Sequence, residues 1–230
     1  MLYFIDSANA QAVYEIAQLY PVSGVTTNPT ICSRENRTDF ARMMREIRSS
    51  AGKDALVFAQ TMAADAQGMV EDALALQALV GEPFCVKVPA TAQGIRAVQL
   101  LKKQGVSALV TAVFNAQQAL LAARAGADWV APYVNKVDDI LGDGAQEIAQ
   151  IAKLYQYYGY STKILAASFR NLDQVNRCAL SGAHAVTLPP AFFEKLLNHP
   201  MTELALQGFK SDWQKVYGEK NVRALAQEKD

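Results

Sequence analysis

The chain has 230 residues, of which 51% are apolar and 19% charged, enough apolar material for a sizeable core in one domain. Its 22 basic and 22 acidic residues leave a formal net charge of zero. That balance argues against a general polyanion-binding surface and so against nucleic acid as a partner, because non-specific affinity comes from clustered cations. It also leaves little charge repulsion to resist self-association. The three cysteines, Cys32, Cys85 and Cys178, are odd in number and without CxxC spacing, which points to a reducing, cytoplasmic setting. No basic leader opens the chain, and no apolar run approaches the ~18 residues a membrane span needs.

In chain order, short apolar runs predict strands over Leu2–Asp6, Gly24–Thr27, Leu56–Gln60, Phe84–Val88, Ala108–Val113, Trp129–Val134, Lys163–Ser168 and Ala185–Leu188. Amphipathic stretches lie between them. Val70, Ala73, Leu74, Leu76, Leu79 and Val80 form one such stretch, and Ile95, Val98, Leu101 and Lys102 begin another after the candidate cap Thr91. Gly105, Gly126 and Gly182 stand where helices end before the next strand. Eight strand–helix units without a linker suggest a (β/α)8 TIM barrel spanning 1–230 as a single domain. An open doubly wound sheet is the competing arrangement, although no GxGxxG or Walker sequence supports it. A further helix is expected over about 202–217, whose Leu204, Leu206, Phe209, Trp213 and Tyr217 need a partner surface on the barrel or on a neighbouring subunit.

Function in such a barrel sits at the C-terminal strand ends. Those ends carry Asp6, Thr26-Thr27-Asn28, Gln60, Lys87, Thr111, Tyr133 with Lys136, and Ser168 with Arg170, while strand eight ends apolar at Leu188-Pro189. Lys87 stands alone among apolar neighbours, and with the parity of Cys85 it would point inward. Burial lowers the pKa of an ammonium and so frees the amine that attacks carbonyls. The alternative is a structural lysine paired with Asp6 or reaching out of the barrel. Tyr133 can donate and accept a proton, or simply pack on the rim. Lys136, Ser168 and Arg170 suit a phosphate, or form a solvated basic loop. His184 and His199 have no partners at metal-ligand spacing, so no metal or other cofactor is expected.

Asp6, the run Gly24-Val25-Thr26-Thr27-Asn28-Pro29, Val86-Lys87-Val88-Pro89, Ala131-Pro132-Tyr133-Val134-Asn135 and Leu165-Ala166-Ala167-Ser168-Phe169 resemble the small transaldolase family, with its fructose-6-phosphate aldolase branch the nearer match. The resemblance runs almost end to end and implies a Schiff base on Lys87. It implies donor hydroxyls held by Asp6 and Asn28, and proton movement by Gln60, Thr111 and Tyr133 through a water. Thr27 falls in the same substrate-binding motif. Transaldolases proper carry glutamate and phenylalanine at the positions of Gln60 and Tyr133, so both positions read as aldolase. Arginine and lysine exchange places at Lys136 and Arg170 relative to the family's aldolases. The implied activity is class I aldol cleavage of fructose 6-phosphate-type ketoses to dihydroxyacetone and glyceraldehyde 3-phosphate. Transaldolase transfer or a non-catalytic sugar-phosphate barrel are the alternatives. The implied partners are a sugar or sugar phosphate, an aldehyde, and other copies of the chain in a ring-shaped homo-oligomer, a decamer of two pentamers.

Overall fold

The computed structural model of the chain describes residues 1–227. Runs of β-branched and aromatic residues, buried on both faces, form parallel strands because helices cover the outside of the sheet while the sheet closes on itself. In chain order the elements are β1 (Leu2–Asp6), α1 (Ala10–Leu19), β2 (Gly24–Thr26), α2 (Pro29–Arg34), α3 (Phe40–Ala51), β3 (Leu56–Gln60), α4 (Ala66–Val80), β4 (Phe84–Pro89), α5 (Ala92–Lys103), β5 (Ala108–Val113), α6 (Ala116–Ala125), β6 (Trp129–Pro132), α7 (Val134–Asp138), α8 (Gly144–Tyr158), β7 (Lys163–Ala166), α9 (Leu172–Leu180), β8 (Ala185–Leu188), α10 (Pro190–Leu197), α11 (Pro200–Tyr217) and α12 (Val222–Ala226). The eight strands pair in sequence order, and β1 pairs with β8, closing the barrel. This is the (β/α)8 TIM barrel, not the open sheet.

Two units divide the chain, one from Met1 to Phe193 and one beginning at Glu194. The first holds the barrel. Its inward side chains form an apolar plug of Phe4, Phe58, Cys85, Leu109, Trp129 and Leu165, with Ala131 and Ala185. Phe4, Phe58 and Trp129 meet edge to face, with ring centroids 5.4–6.0 Å apart, the arrangement that the ring quadrupoles favour. The second unit contains α11, which extends the helix expected over 202–217 by two residues at its start. None of the α11 residues is buried, and Leu204, Leu206 and Phe209 are exposed. No helix among the described residues is long and apolar enough to cross a membrane.

Eight helices of the barrel unit start the same way. Asn9, Asn28, Asp39, Asp65, Thr91, Asn115, Asp143 and Asn171 each accept, through a side-chain oxygen, from the backbone N–H three residues on. A short polar side chain satisfies an orphan donor there and fixes where the helix begins. Two glycines allow the close contacts this geometry needs. A Cβ at Gly24 would sit 1.9 Å from the Leu56 carbonyl oxygen, between β2 and β3, and one at Gly94 would sit 1.9 Å from the Pro89 carbonyl, where α5 lies against the end of β4. The Gly142-Asp143-Gly144 segment is a helix start, with Asp143 capping α8.

Candidate active site

Side chains alternate along a strand, so the residue two places beyond each plug residue also points inward, one layer nearer the C-terminal mouth. Two residues on from Phe4, Phe58, Cys85, Leu109, Ala131 and Ala185 lie Asp6, Gln60, Lys87, Thr111, Tyr133 and Thr187. The apolar layer is therefore followed by a polar one. Strand register brings its members side by side: Asp6 is opposite Thr26, Gln60 opposite Lys87, and Pro89 opposite Thr111. Above this layer lies a cavity of about 520 Å3, and Asp6, Thr26, Asn28, Gln60, Lys87, Tyr133, Lys136, Ser168 and Thr187 are on its wall.

Lys87 is 5% exposed, and its ammonium donates a 2.9 Å hydrogen bond to the Thr27 carbonyl. Among the described residues it forms no ion pair with a carboxylate. Burial pulls its pKa below the ordinary lysine range, and the attraction of Asp6 opposes this. Asp6 shows the converse. Burial raises its carboxyl above the ordinary value, against the pull of Lys87, a hydrogen bond from Thr26, and the charge of Arg34. Both shifts have the same origin, the cost of keeping charge away from water. Together they narrow the gap between the two groups and favour a neutral amine on Lys87.

Asp6 is fixed by a hydroxyl chain. Thr26 donates to Asp6 Oδ1 at 2.6 Å, and the Thr26 and Thr187 hydroxyls are 2.6 Å apart. Since Thr26 spends its proton on the carboxylate, Thr187 is the donor in the second bond. The expectation of an apolar end to strand eight therefore needs correction: Leu188 is buried, but Thr187 brings a polar group to the cavity.

On the opposite side, the Tyr133 phenol lies 3.1 Å from the Thr111 hydroxyl. A bulge in β5 makes this possible. Its register against β6 shifts between Val110 and Val113, and Ala112 adopts a left-handed φ of 55°. A bulge re-aims the neighbouring side chain, here that of Thr111. The Tyr133 ring packs edge-on against Phe114 at 5.7 Å.

Four strand boundaries differ from the sequence expectation, β2 and β4 by one residue and β6 and β7 by two, and the latter two move site residues. The strand expected over Trp129–Val134 ends at Pro132, and Tyr133 precedes α7, so Lys136 lies on a helix rather than a strand end. The strand expected to reach Ser168 ends at Ala166, and Ser168 has a φ of 64°. Backbone pairing nevertheless continues past both ends: Val134 N–H donates to Ala167 at 2.9 Å and Asn135 N–H to Ser168 at 2.8 Å. Lys136 and Ser168 consequently share one end of the cavity.

Not every expected residue reaches the wall. Thr27 is buried beside it, and its hydroxyl donates to the Phe58 carbonyl at 3.0 Å, so the group it offers the site is the carbonyl that holds Lys87. Thr111 and Arg170 are also absent from the wall: Thr111 is buried and meets the Tyr133 phenol, and Arg170 pairs with Asp139 at 3.4 Å. Asn28 uses its carboxamide oxygen to cap α2, which leaves its NH2 end to face a ligand. Neither histidine lines the cavity. His184 accepts from the Ile164 N–H at the start of β7, and His199 caps α11. Ser7, Arg34 at the end of α2, and Glu35 do line it, although no periodicity in the sequence marks them.

Similarity to known proteins agrees with this geometry. A solved structure described as "Native KDPGal structure" superposes with a TM-score of 0.58 at 14% sequence identity, over 81% of each chain, and shares the fold. The family model described as "Transaldolase/Fructose-6-phosphate aldolase" matches residues 3–229. With an inward lysine on the fourth strand of a closed eight-stranded barrel and a match over almost its full length, this chain belongs to the transaldolase/fructose-6-phosphate aldolase family.

Proposed function

We propose that the chain is a class I aldolase that cleaves and forms fructose 6-phosphate-type ketoses through a Schiff base on Lys87. Dihydroxyacetone is the donor fragment, and an aldehyde, either glyceraldehyde 3-phosphate or an uncharged relative, is the acceptor. Its family already makes it an enzyme of the aldolase or transaldolase kind. The observation that carries the Schiff-base reading is the Lys87 amine, buried on the cavity wall and held by a carbonyl instead of a carboxylate.

In this mechanism the neutral amine adds to the C2 ketone, and the carbinolamine hydroxyl leaves as water with a proton from the Tyr133 phenol, giving a phenolate and an iminium. That cation takes up the electron pair of the C3–C4 bond as it breaks, with the C4 hydroxyl proton leaving so that the aldehyde departs. Tyr133 receives this proton through a water ordered between Gln60, Thr111 and the phenol, whose 3.1 Å contact with Thr111 fixes its direction. Return of the proton to the enamine, followed by hydrolysis, frees dihydroxyacetone and restores Lys87. Asp6, anchored by Thr26, and the NH2 end of Asn28 orient the donor hydroxyls. Lys136 and Ser168 mark the end at which the acceptor enters.

Transaldolase transfer shares every step up to the enamine. The Tyr133–Thr111 pair favours the aldolase outcome, because a phenol at the cavity can protonate the enamine without a second sugar. Replacement Lys87→Met is expected to abolish turnover while circular dichroism shows an intact barrel. Retained turnover would remove the lysine from the mechanism.

A further inference from the structure

Lys136, on the cavity wall, has its own counter-ion. Asp139, the residue after α7, stands 3.8 Å from the Lys136 ammonium and 3.4 Å from the Arg170 guanidinium. Its Oδ2 also accepts a 3.1 Å hydrogen bond from the Asn135 amide. One carboxylate thus joins the two cations that would otherwise be free to meet a phosphate. The loop bearing Arg170 is tied to the same helix: its N–H donates to Gln174 Oε1 at 2.7 Å, and Gln174 Nε2 donates to Asp138 Oδ2 at 2.6 Å. With Asp138 and Asp139 beside Lys136 and Arg170, the formal charge of the group is zero.

A phosphorylated aldehyde arriving here is drawn to the cations and repelled by Asp139. Its oxygens compete for N–H groups that already face a carboxylate. An uncharged aldehyde meets no such opposition. Both ion pairs are well exposed, with the cation side chains 59% and 69% accessible. Each is therefore individually weak, and Asp139 attenuates the anion seat without closing it.

We propose that Asp139 is a positioning residue that sets acceptor preference, holding Lys136 and Arg170 so that short uncharged aldehydes are favoured over phosphorylated ones. This rests on the aldolase reading above. No sequence pattern marks Asp139, whose role emerges only when α7 and the loop after β7 come together.

The test compares kcat/KM for addition of dihydroxyacetone to glyceraldehyde and to glyceraldehyde 3-phosphate, at fixed ionic strength. The wild-type chain is expected to favour glyceraldehyde. Asp139→Asn keeps the shape and removes the charge. Its ratio of phosphorylated to uncharged acceptor is expected to rise about three- to tenfold, the size of one or two exposed ion pairs, through a lower KM for the phosphorylated aldehyde. Lys136→Gln should move the ratio the other way. A merely structural disturbance would depress both aldehydes together and leave the ratio unchanged, and Asp139→Ser repeats the comparison with a smaller side chain. An unchanged or lower ratio in both Asp139 variants, or a wild-type preference for the phosphorylated aldehyde, overturns the inference and leaves the aldolase reading standing. A wild-type chain that turns over neither aldehyde overturns both.

Discussion

In the proposed mechanism burial makes Lys87 reactive, and burial is also what makes it visible in the sequence. An ammonium in the run Phe84-Cys85-Val86-Lys87-Val88 has no polar neighbour, and strand parity sends it inward. The resulting downward pKa shift has a kinetic signature. Below its pKa the amine is mostly protonated and inert, so imine formation with dihydroxyacetone should speed up with rising pH. It should level off clearly below the ordinary lysine value of about 10.4. A rate that climbs through that value without an inflection would contradict the assignment; stopped-flow or quenched borohydride trapping measures it. Asp6, Gln60, Thr111 and Tyr133 were legible for the same reason as Lys87, as polar groups that break an apolar run. Thr187 was not, because threonine is at home in any strand and its hydroxyl gains meaning only beside Thr26 and Asp6. Thr27 illustrates the reverse: a motif residue whose hydroxyl is committed to the backbone.

Among the elements, the eight strands were legible from apolar runs, and four of them, β1, β3, β5 and β8, have the expected bounds. Errors fall where the chain leaves the sheet while still bonded to it. Tyr133 and Val134 keep ladder-like bonds to Val113 and Ala167 while the backbone turns into α7. A five-residue helix is too short for periodicity to reveal. The left-handed turn at Ser168 is likewise hidden, since serine carries no signal for positive φ. Gly94 shows how tightly one element positions the site. Its missing side chain lets α5 lie against the Pro89 carbonyl, two residues beyond Lys87. Gly94→Ala is expected to destabilise the fold by about 1–3 kcal/mol, the usual cost of overpacking, and to lower kcat by displacing the end of β4. Urea unfolding measures the first effect; a variant as stable as the wild type would show that the helix can slide away freely.

At the scale of the whole molecule, closure of the barrel brings strand ends that are remote in sequence around one cavity. Asp6 from β1 and Thr187 from β8 share a hydroxyl chain through Thr26 only because those strands pair. Eight strand–helix units foreshadowed closure, but the pairing of first and last strands lies beyond any local pattern. In the second unit, α11 exposes Leu204, Leu206, Phe209 and Val216, apolar surface of the kind that assembly covers. We propose that other copies of the chain cover it, in the ring that the family resemblance implies. Light scattering is expected to give a mass of about ten chains, or five for a single ring, whereas a monomer at micromolar concentration would rule the ring out.

Everything proposed for the site depends on a covalent bond at Lys87. Intact-mass analysis after sodium borohydride reduction with dihydroxyacetone, followed by peptide mapping, asks for that bond directly. One reduced triose adduct per chain is expected, on the peptide containing Lys87, and none in Lys87→Met. Absence of an adduct in the wild type, or an adduct on another lysine, would contradict it.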